Sequence, residues 1–165
     1  MESWEQTLAD LAGQHGPALK RHAFLLCGDE AEADDLVQEA LVRAFTRPRR
    51  VPGPGAAEAY VRAIMVNLFI DGARRHARWS RVAPLLRPAG MAPDPADQVS
   101  DRDAMLAALR SLSPRQRTCV VLRFYEDLPV AEVAAVLGVG EGPVKRYLSE
   151  AMSRVAGRLS SAESG

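Results

Sequence analysis

Cysteine, histidine and aromatic residues are scarce in this sequence of 165 residues. Cysteine occurs only at Cys27 and Cys119, which lie far apart in apolar runs, so we expect buried free thiols rather than a disulfide. The three histidines, His15, His22 and His76, do not have the spacing of metal ligands. The sequence therefore predicts a protein with no metal site and no cofactor.

Long apolar runs are missing as well. No segment approaches the roughly 18 apolar residues of a membrane-spanning helix. Acidic Glu2 and Glu5 stand where a secretory signal would carry basic residues. We therefore expect a soluble, reduced protein of the cytoplasm that is not inserted in a membrane.

Lysine is nearly absent, because only Lys20 and Lys145 are lysines among the 21 basic residues. Arginine suits contacts to phosphate groups and base edges, although a GC-rich genome would also favour it. The net charge is zero, yet residues 1–42 carry 2 basic and 9 acidic side chains, whereas residues 43–87 carry 10 and 2. Residues 88–165 carry 9 and 10. The charge is therefore strongly polarised along the chain.

The abundance of alanine and leucine favours helices over a β core. Residues 3–26 predict one amphipathic helix or two, with Gly16-Pro17 as the expected break, and Gly28-Asp29 is expected to end the segment. Residues 30–46 and about 57–80 predict two further helices. Their apolar stripes comprise Leu36, Val37, Ala40, Leu41, Ala44 and Phe45 in the second helix, and Val61, Ile64, Met65 and Leu68 in the third.

Prolines and glycines interrupt the chain twice. Residues 47–56 contain three prolines and two glycines, which predict an irregular basic loop. Residues 83–100 contain four prolines and predict a linker. We therefore expect an all-α fold of two small helical domains, residues 1–82 and 101–165, joined by this Pro-rich linker.

The second domain shows the pattern of a helix-turn-helix. Ser113-Pro114 places an N-cap and a first-position proline before a helix that runs through Phe124. Helices predicted over 130–137 and about 141–159 are separated by the tight turn Gly138-Val139-Gly140. An ordinary helical hairpin is the alternative for this segment.

The second helix of a helix-turn-helix inserts its N-terminal residues into the major groove. We expect Val144, Leu148 and Met152 to form the buried face of this helix. The candidate contacts to duplex DNA are Pro143, Lys145, Arg146, Tyr147 and Ser149. We therefore predict that this helix recognises the base sequence of duplex DNA.

An acidic face is predicted on the second helix, where Asp34, Asp35, Gln38 and Glu39 surround a buried apolar stripe. It is either a solvated face or a docking surface for a basic partner helix. A Mg²⁺-dependent enzyme is a further alternative. Adjacent Asp34 and Asp35 diverge on a helix, however, and no Gly-rich phosphate loop accompanies them.

An arginine cluster lies on the third helix and in the loop before it. Arg74, Arg75 and Arg78 are suited to follow a phosphate backbone. Asn67 has both a donor and an acceptor for a base edge. The pattern predicts contact with nucleic acid in the middle of the chain.

Five motifs in this order resemble those of the extracytoplasmic-function (group 4) RNA polymerase sigma factors, a branch of the sigma-70 family. The likeness covers residues 10–158 and is similar in style to the short actinobacterial SigE-like subgroup. The motifs are Asp34-Asp35-Leu36-Val37-Gln38-Glu39-Ala40, Ala59-Tyr60-Val61-Arg62-Ala63-Ile64-Met65-Val66-Asn67, Leu112-Ser113-Pro114-Arg115-Gln116-Arg117, Leu122-Arg123-Phe124-Tyr125-Glu126-Asp127-Leu128 and Val133-Ala134-Ala135-Val136-Leu137-Gly138 with Gly142-Pro143-Val144-Lys145.

The resemblance implies partners for each surface. The acidic residues Asp34, Asp35, Gln38 and Glu39 would bind the clamp helices of the largest subunit of core RNA polymerase. The loop at 47–56 would capture a base flipped out of the melted minus-ten element, with Asn67 in the pocket. The implied minus-ten contacts are Arg47, Arg49, Arg50, Val51, Arg62, Asn67, Arg74, Arg75 and Arg78.

The resemblance also implies that the C-terminal domain reads the minus-thirty-five element and sits on the polymerase flap, in the second subunit. Gly140, Pro143, Tyr147 and Glu150 depart from the residues usual in the recognition helix, so we expect altered minus-thirty-five reading. An anti-sigma factor remains open as a further partner. The implied function is promoter recognition, promoter melting and transcription initiation, without an active site. A free-standing helix-turn-helix regulator is the alternative.

Overall fold

The computed structural model of the chain describes residues 3–50, 54–82 and 101–163, and these form helices and no strand. None of the described helices is long and apolar enough to span a membrane. The N-terminal half contains α1 (Trp4–Cys27), α2 (Glu30–Thr46) and α3 (Pro54–Val82). The predicted all-α fold is confirmed.

Helix α1 continues through Gly16-Pro17, so the segment is one helix and the expected break at these two residues is wrong. A proline inside a helix removes one hydrogen bond and costs about 3 kcal/mol. Here the residue before the proline is glycine, which has no Cβ to clash with the ring. Buried side chains on both sides of Pro17 also fix the two halves of the helix; they are Leu8, Leu11, Leu19, Ala23 and Leu26. Packing therefore outweighs the local preference.

The junction between α1 and α2 forms at the predicted residues. Gly28 adopts a left-handed conformation with φ of 71°, and its N–H donates to the carbonyl of Phe24. Asp29 caps α2 by accepting a hydrogen bond from the N–H of Glu32 at 2.9 Å. Both residues are needed for the sharp reversal between the two helices.

The first core lies between α1, α2 and α3. From α2 it receives Leu36, Ala40 and Ala44, as predicted. Phe45 is 53% exposed, so its assignment to the apolar stripe is wrong. At 3.6 residues per turn Phe45 lies about 180° from Leu36, beyond the edge of the buried face.

The C-terminal half contains α4 (Asp101–Arg110), α5 (Pro114–Val120), a π-helical turn (Val121–Tyr125), α6 (Val130–Leu137) and α7 (Glu141–Glu163). The predicted cap at Ser113 is confirmed. Its hydroxyl accepts from the N–H of Gln116, and the Gln116 side chain accepts from the N–H of Ser113. Gly138 ends α6 with φ of 67°, which favours glycine at this turn.

A second core joins the two halves of the chain. Leu26 of α1 and Val66 and Ile70 of α3 pack with residues of the C-terminal helices. The sequence predicts only one apolar face on α3, but the helix has a second face that the C-terminal domain covers. The C-terminal residues of this core are Leu109, Leu112, Cys119, Val121, Leu122, Val133, Ala134, Val144 and Ala151.

Arginines of the C-terminal domain hold the end of α1. Arg117 donates to the carbonyl of Leu26 at 2.6 Å, and Arg110 donates to the carbonyl of Gly28. A Cβ at residue 28 would lie 2.6 Å from Nε of Arg110, so a larger residue there would displace this arginine side chain. Positive charge at a helix C-terminus is favourable because the last carbonyls lack partners.

Both cysteines are free thiols, as predicted. Cys119 is buried and Cys27 is half-buried. Burial raises the pKa of each thiol to about 11, so both remain protonated at neutral pH.

Candidate functional site

The acidic face of α2 is formed by three of the four residues predicted for it. Asp35, Gln38 and Glu39 are exposed on one side of the helix. Asp34 is half-exposed and turns toward α1, where its carboxylate lies 3.4 Å from Nζ of Lys20. Hydrogen bonds to Glu30 and then to Asp34 raise the pKa of Lys20. Asp34 is therefore partly committed to a contact inside the domain.

Two apolar side chains extend this face. Val42 is 61% exposed and Phe45 is 53% exposed. They follow Gln38 and Glu39 by one to two helical turns, so they continue the same side of α2. Exposed apolar residues next to charged ones are typical of protein-docking surfaces. Neither residue is among the predicted docking residues, although the spacing of Asp35, Glu39 and Val42 provides a signal.

A groove of about 610 Å³ borders the acidic face. Asp35 and Glu39 form one wall, and Arg75, His76 and Arg117 contribute positive or titratable groups to the others. The groove thus places α2, α3 and the start of α5 around one cleft.

A pocket of about 400 Å³ lies between the loop at residues 47–49 and α3. It brings together three predicted minus-ten residues, Arg47, Arg49 and Asn67. Arg50 is exposed but does not line the pocket, and Val51 lies outside the described residues. The full lining is Arg43, Arg47, Pro48, Arg49, Tyr60, Ile64, Asn67, Leu68 and Asp71.

Tyr60 anchors the loop to α3. Its hydroxyl donates to the carbonyl of Arg47 at 2.9 Å, and the Arg49 guanidinium lies 5.0 Å from the ring centroid. The Trp4 ring is 5.8 Å away on α1. Tyr60 therefore holds the pocket rim in place while its ring is covered by neighbouring side chains.

Asn67 and Asp71 occupy the α3 wall of the pocket, one helical turn apart. The Asn67 amide nitrogen donates to the carbonyl of Ala63 at 3.0 Å. Both side chains are exposed. Asp71 is not among the predicted site residues, but its i+4 spacing from Asn67 was a usable signal. This wall therefore offers oxygen acceptors to a ligand.

The predicted phosphate-contacting arginines separate into two groups. Arg74, Arg75 and Arg78 are exposed on the C-terminal half of α3. Arg62 is only 13% exposed and lies 3.6 Å from Oε2 of Glu126 in the C-terminal domain. It is about 140° around the helix from Asn67. Arg62 thus faces the interdomain contact and not the pocket.

Glu126 links Arg62 to a fully buried histidine. Nδ1 of His22 donates to Oε1 of Glu126 at 2.8 Å, since an ionised carboxylate can only accept. This hydrogen bond lowers the pKa of Glu126, with a smaller contribution from the charge of Arg62, while burial opposes the shift. The group His22, Glu126 and Arg62 therefore forms a charged contact between the two domains.

Helix α7 presents part of the predicted reading surface. Lys145, Arg146 and Ser149 are exposed, and Pro143 is half-buried. Tyr147 is half-buried in the second core, and it lines a small pocket of about 190 Å³ with Arg74 of α3. The structure thus places four of the five predicted residues near the start of α7, whereas Tyr147 packs against the second core. The four are Pro143, Lys145, Arg146 and Ser149.

The buried face of α7 differs in one residue from the prediction. Val144 is buried and Leu148 is half-buried, but Met152 is 43% exposed, so its assignment is wrong. Ala151 is buried in its place, because the closely packed second core accepts a small side chain there. Glu150 accepts a hydrogen bond from Gln116 at 3.0 Å and lies 3.8 Å from Arg146. Its charge is therefore partly compensated inside the domain.

Comparison with known families gives two matches. Residues 11–79 match the model of Sigma-70 region 2, and residues 102–155 match the model of Sigma-70 region 4. The first match contains the acidic face and the pocket, and the second contains the turn at Gly138.

Individual proteins are similar over most of the chain. The RNA polymerase sigma-E factor of Streptomyces avermitilis is 35% identical over 144 residues, which cover 87% of this chain and 80% of that protein. The ECF RNA polymerase sigma factor SigL of Mycobacterium tuberculosis is 33% identical over 147 residues, covering 86% and 82%. Among solved structures, the sigma factor RpoE of Bartonella quintana, in complex with the anti-sigma factor NepR, has a TM-score of 0.68 at 26% identity and covers 87% of this chain and 91% of that chain.

Proposed function

Because the chain belongs to the extracytoplasmic-function group of the sigma-70 family of RNA polymerase sigma factors, we propose that its three surfaces divide the steps of initiation between them. A sigma factor binds core RNA polymerase and directs it to promoters. We further propose that this chain has no active site of its own and acts in the cytoplasm, where polymerase and DNA are found. The proposed domains are residues 1–82 and 101–165, with a linker at 83–100.

The acidic face of α2 is proposed to bind the clamp helices of the largest polymerase subunit. Asp35, Gln38 and Glu39 supply charge for a basic partner helix, and Val42 and Phe45 supply apolar area that a partner would remove from water. Asp34 acts in this proposal mainly by orienting Lys20 and the start of α2.

The pocket between residues 47–49 and α3 carries the proposal for promoter melting. It is large enough for an unpaired base, and arginines surround its rim. Capturing a flipped base offsets the few kcal/mol lost on unstacking. Arg74, Arg75 and Arg78 continue along α3 and would follow the phosphates of the melted strand.

Helix α7 is proposed to read the minus-thirty-five element. Lys145, Arg146 and Ser149 are exposed near its N-terminal end, where a recognition helix contacts the major groove. Pro143 would contribute apolar contact only, and Tyr147 is proposed to support the helix from within the core. A free-standing regulator would need only residues 101–159, so it leaves the acidic face and the pocket without a role.

Run-off transcription with purified core polymerase tests the proposal. The wild-type chain should bind core polymerase and confer promoter-dependent initiation. The double variant Asp35→Lys with Glu39→Lys should lose core binding, while Glu5→Lys with Asp10→Lys, which changes the net charge equally on α1, should retain it. Retained core binding by the first variant would remove the acidic face from the proposal.

An anti-sigma factor is a proposed further partner. The structurally similar sigma factor of Bartonella quintana was solved in complex with an anti-sigma factor. The match to that sigma factor covers most of this chain. Co-purification of the tagged chain with the product of a neighbouring gene would test this.

A further inference from the structure

The orientation of the Asn67 amide is fixed by its partner. The group that approaches the carbonyl of Ala63 at 3.0 Å must be the NH₂ group, because a carbonyl oxygen can only accept a hydrogen bond. The Oδ1 atom is therefore on the other side of the amide. Oδ1 is therefore an acceptor on the pocket wall, and the NH₂ group keeps one further hydrogen that the carbonyl of Ala63 does not use.

Asp71 adds a second acceptor to the same wall. Residues four apart on a helix have Cβ atoms roughly 5–6 Å from each other. Within the described residues no cation lies close enough to Asp71 to form an ion pair. An ionised carboxylate can accept hydrogen bonds but cannot donate them.

The wall of the pocket opposite α3 carries hydrogen-bond donors. Arg43, Arg47 and Arg49 bring guanidinium groups, which can only donate, to the loop side of the pocket. The pocket therefore has the carboxylate of Asp71 and Oδ1 of Asn67 as acceptors on α3, and guanidinium donors on the opposite side. A base edge that has both donors and acceptors matches the two walls.

We propose that Asp71 is a specificity-determining residue of this pocket, which selects an unpaired base with an exocyclic amino group and rejects thymine. The inference rests on the proposed base capture and adds the chemistry of the captured base. An amino group has two hydrogens, one for Oδ1 of Asn67 and one for Asp71. The acceptors of the base face the loop arginines.

Thymine lacks an exocyclic amino group. The corresponding position in its ring is a carbonyl oxygen, which would face the Asp71 carboxylate. Its single N–H is flanked by two carbonyl oxygens, so bonding through that donor brings an oxygen close to the carboxylate as well. A carboxylate that faces a carbonyl oxygen gains no hydrogen bond and repels it, so a base without the amino group should bind more weakly.

Selection from a random DNA pool measures this preference without a known promoter. The chain, bound to core polymerase, is mixed with single-stranded oligonucleotides that carry a randomised segment, and the bound fraction is sequenced. For the wild-type chain we expect one position at which thymine is depleted about tenfold. Asp71→Asn should remove that depletion, because its amide nitrogen can donate to the thymine carbonyl. The control Asp10→Asn removes the same charge from α1 and should give the wild-type pattern.

Four results of this selection would contradict the proposal at different points. Depletion of thymine that persists in Asp71→Asn, or an equal loss of affinity for all bases, would overturn the role of Asp71. Enrichment of thymine by the wild-type chain would overturn the selectivity of the pocket. A holoenzyme that binds the pool no better than core polymerase alone would refute base capture itself, which separates failure of the proposed function from failure of this inference.

Discussion

Removing the negative charge of Glu126 should weaken the contact between the two domains. In Glu126→Gln the side chain keeps an oxygen that accepts from His22, but it loses the charge that pairs with Arg62 at 3.6 Å. The Glu126 side chain is 20% exposed, so solvent screens part of the interaction. We expect a loss of about 1 kcal/mol in the free energy of unfolding for the glutamine variant. For Glu126→Ala we expect about 2–3 kcal/mol, because the buried donor of His22 is then left unpaired.

The effect of Glu126→Gln should depend on pH in a specific direction. The pKa of Glu126 in the folded protein lies below its ordinary value of 4.5, so the unfolded chain binds its proton more readily. The stabilisation is present above the ordinary pKa and is lost as the pH falls through the lowered pKa. The difference between wild type and Glu126→Gln should therefore be full at pH 7 and shrink below pH 4.5, where the wild-type carboxyl is also neutral.

Urea unfolding followed by circular dichroism measures these differences. The control is Asp127→Asn, which removes a neighbouring carboxylate that is almost fully exposed and only 3.8 Å from Arg123. Asp127 has φ of 56°, a conformation that asparagine tolerates, so we expect a change of at most about 0.5 kcal/mol. A loss in Asp127→Asn equal to that in Glu126→Gln, or a loss that does not vary with pH, would refute the interdomain ion pair.

Three other changes test other parts of the structure. Asn67→Ala should impair opening of a duplex promoter more than binding to a pre-melted one, and equal impairment would show that Asn67 does not act in base capture alone. Tyr60→Phe removes the hydrogen bond to Arg47 and should cost about 1 kcal/mol in pre-melted promoter affinity while circular dichroism stays unchanged; unchanged affinity would mean that the loop does not depend on this anchor. Ser113→Ala removes one half of the capping box and should lower the free energy of unfolding by about 1 kcal/mol in urea titrations, whereas no change would show that Gln116 alone satisfies the helix end.

Local signals explain which parts of the fold were predictable. The ends of α2, the cap at Ser113 and the turn at Gly138 depend on residues within a few positions of each other, and sequence patterns identify them. The break at Gly16-Pro17 is local too, but packing along α1 decides against it. Local preference predicts a structure well only where distant residues do not compete with it.

The misplaced site residues have a different cause. The second apolar face of α3 is visible as Val66, Phe69 and Ile70, but nothing in that spacing says that the C-terminal domain covers it. For the same reason the sequence does not place Arg62 against Glu126, which is 64 positions away. Contacts between residues so distant in sequence require the fold, whereas the acidic face of α2 requires only the helical period.

If Arg62 contacts a DNA phosphate, as the sequence predicts, its position couples the arrangement of the domains to DNA binding. A guanidinium held by Glu126 at 3.6 Å and covered to 87% would have to leave that carboxylate before it could meet a phosphate at short range. Arg74, Arg75 and Arg78 are exposed and need no such change. The phosphate contacts proposed for α3 therefore divide into three that would be accessible while the domains are packed together and one that would require their separation. Since Glu126→Gln removes the partner that holds Arg62, we expect this variant to lower the cost of that separation. In this proposal the carboxylate that stabilises the packed domains also limits the number of arginines available to melted DNA.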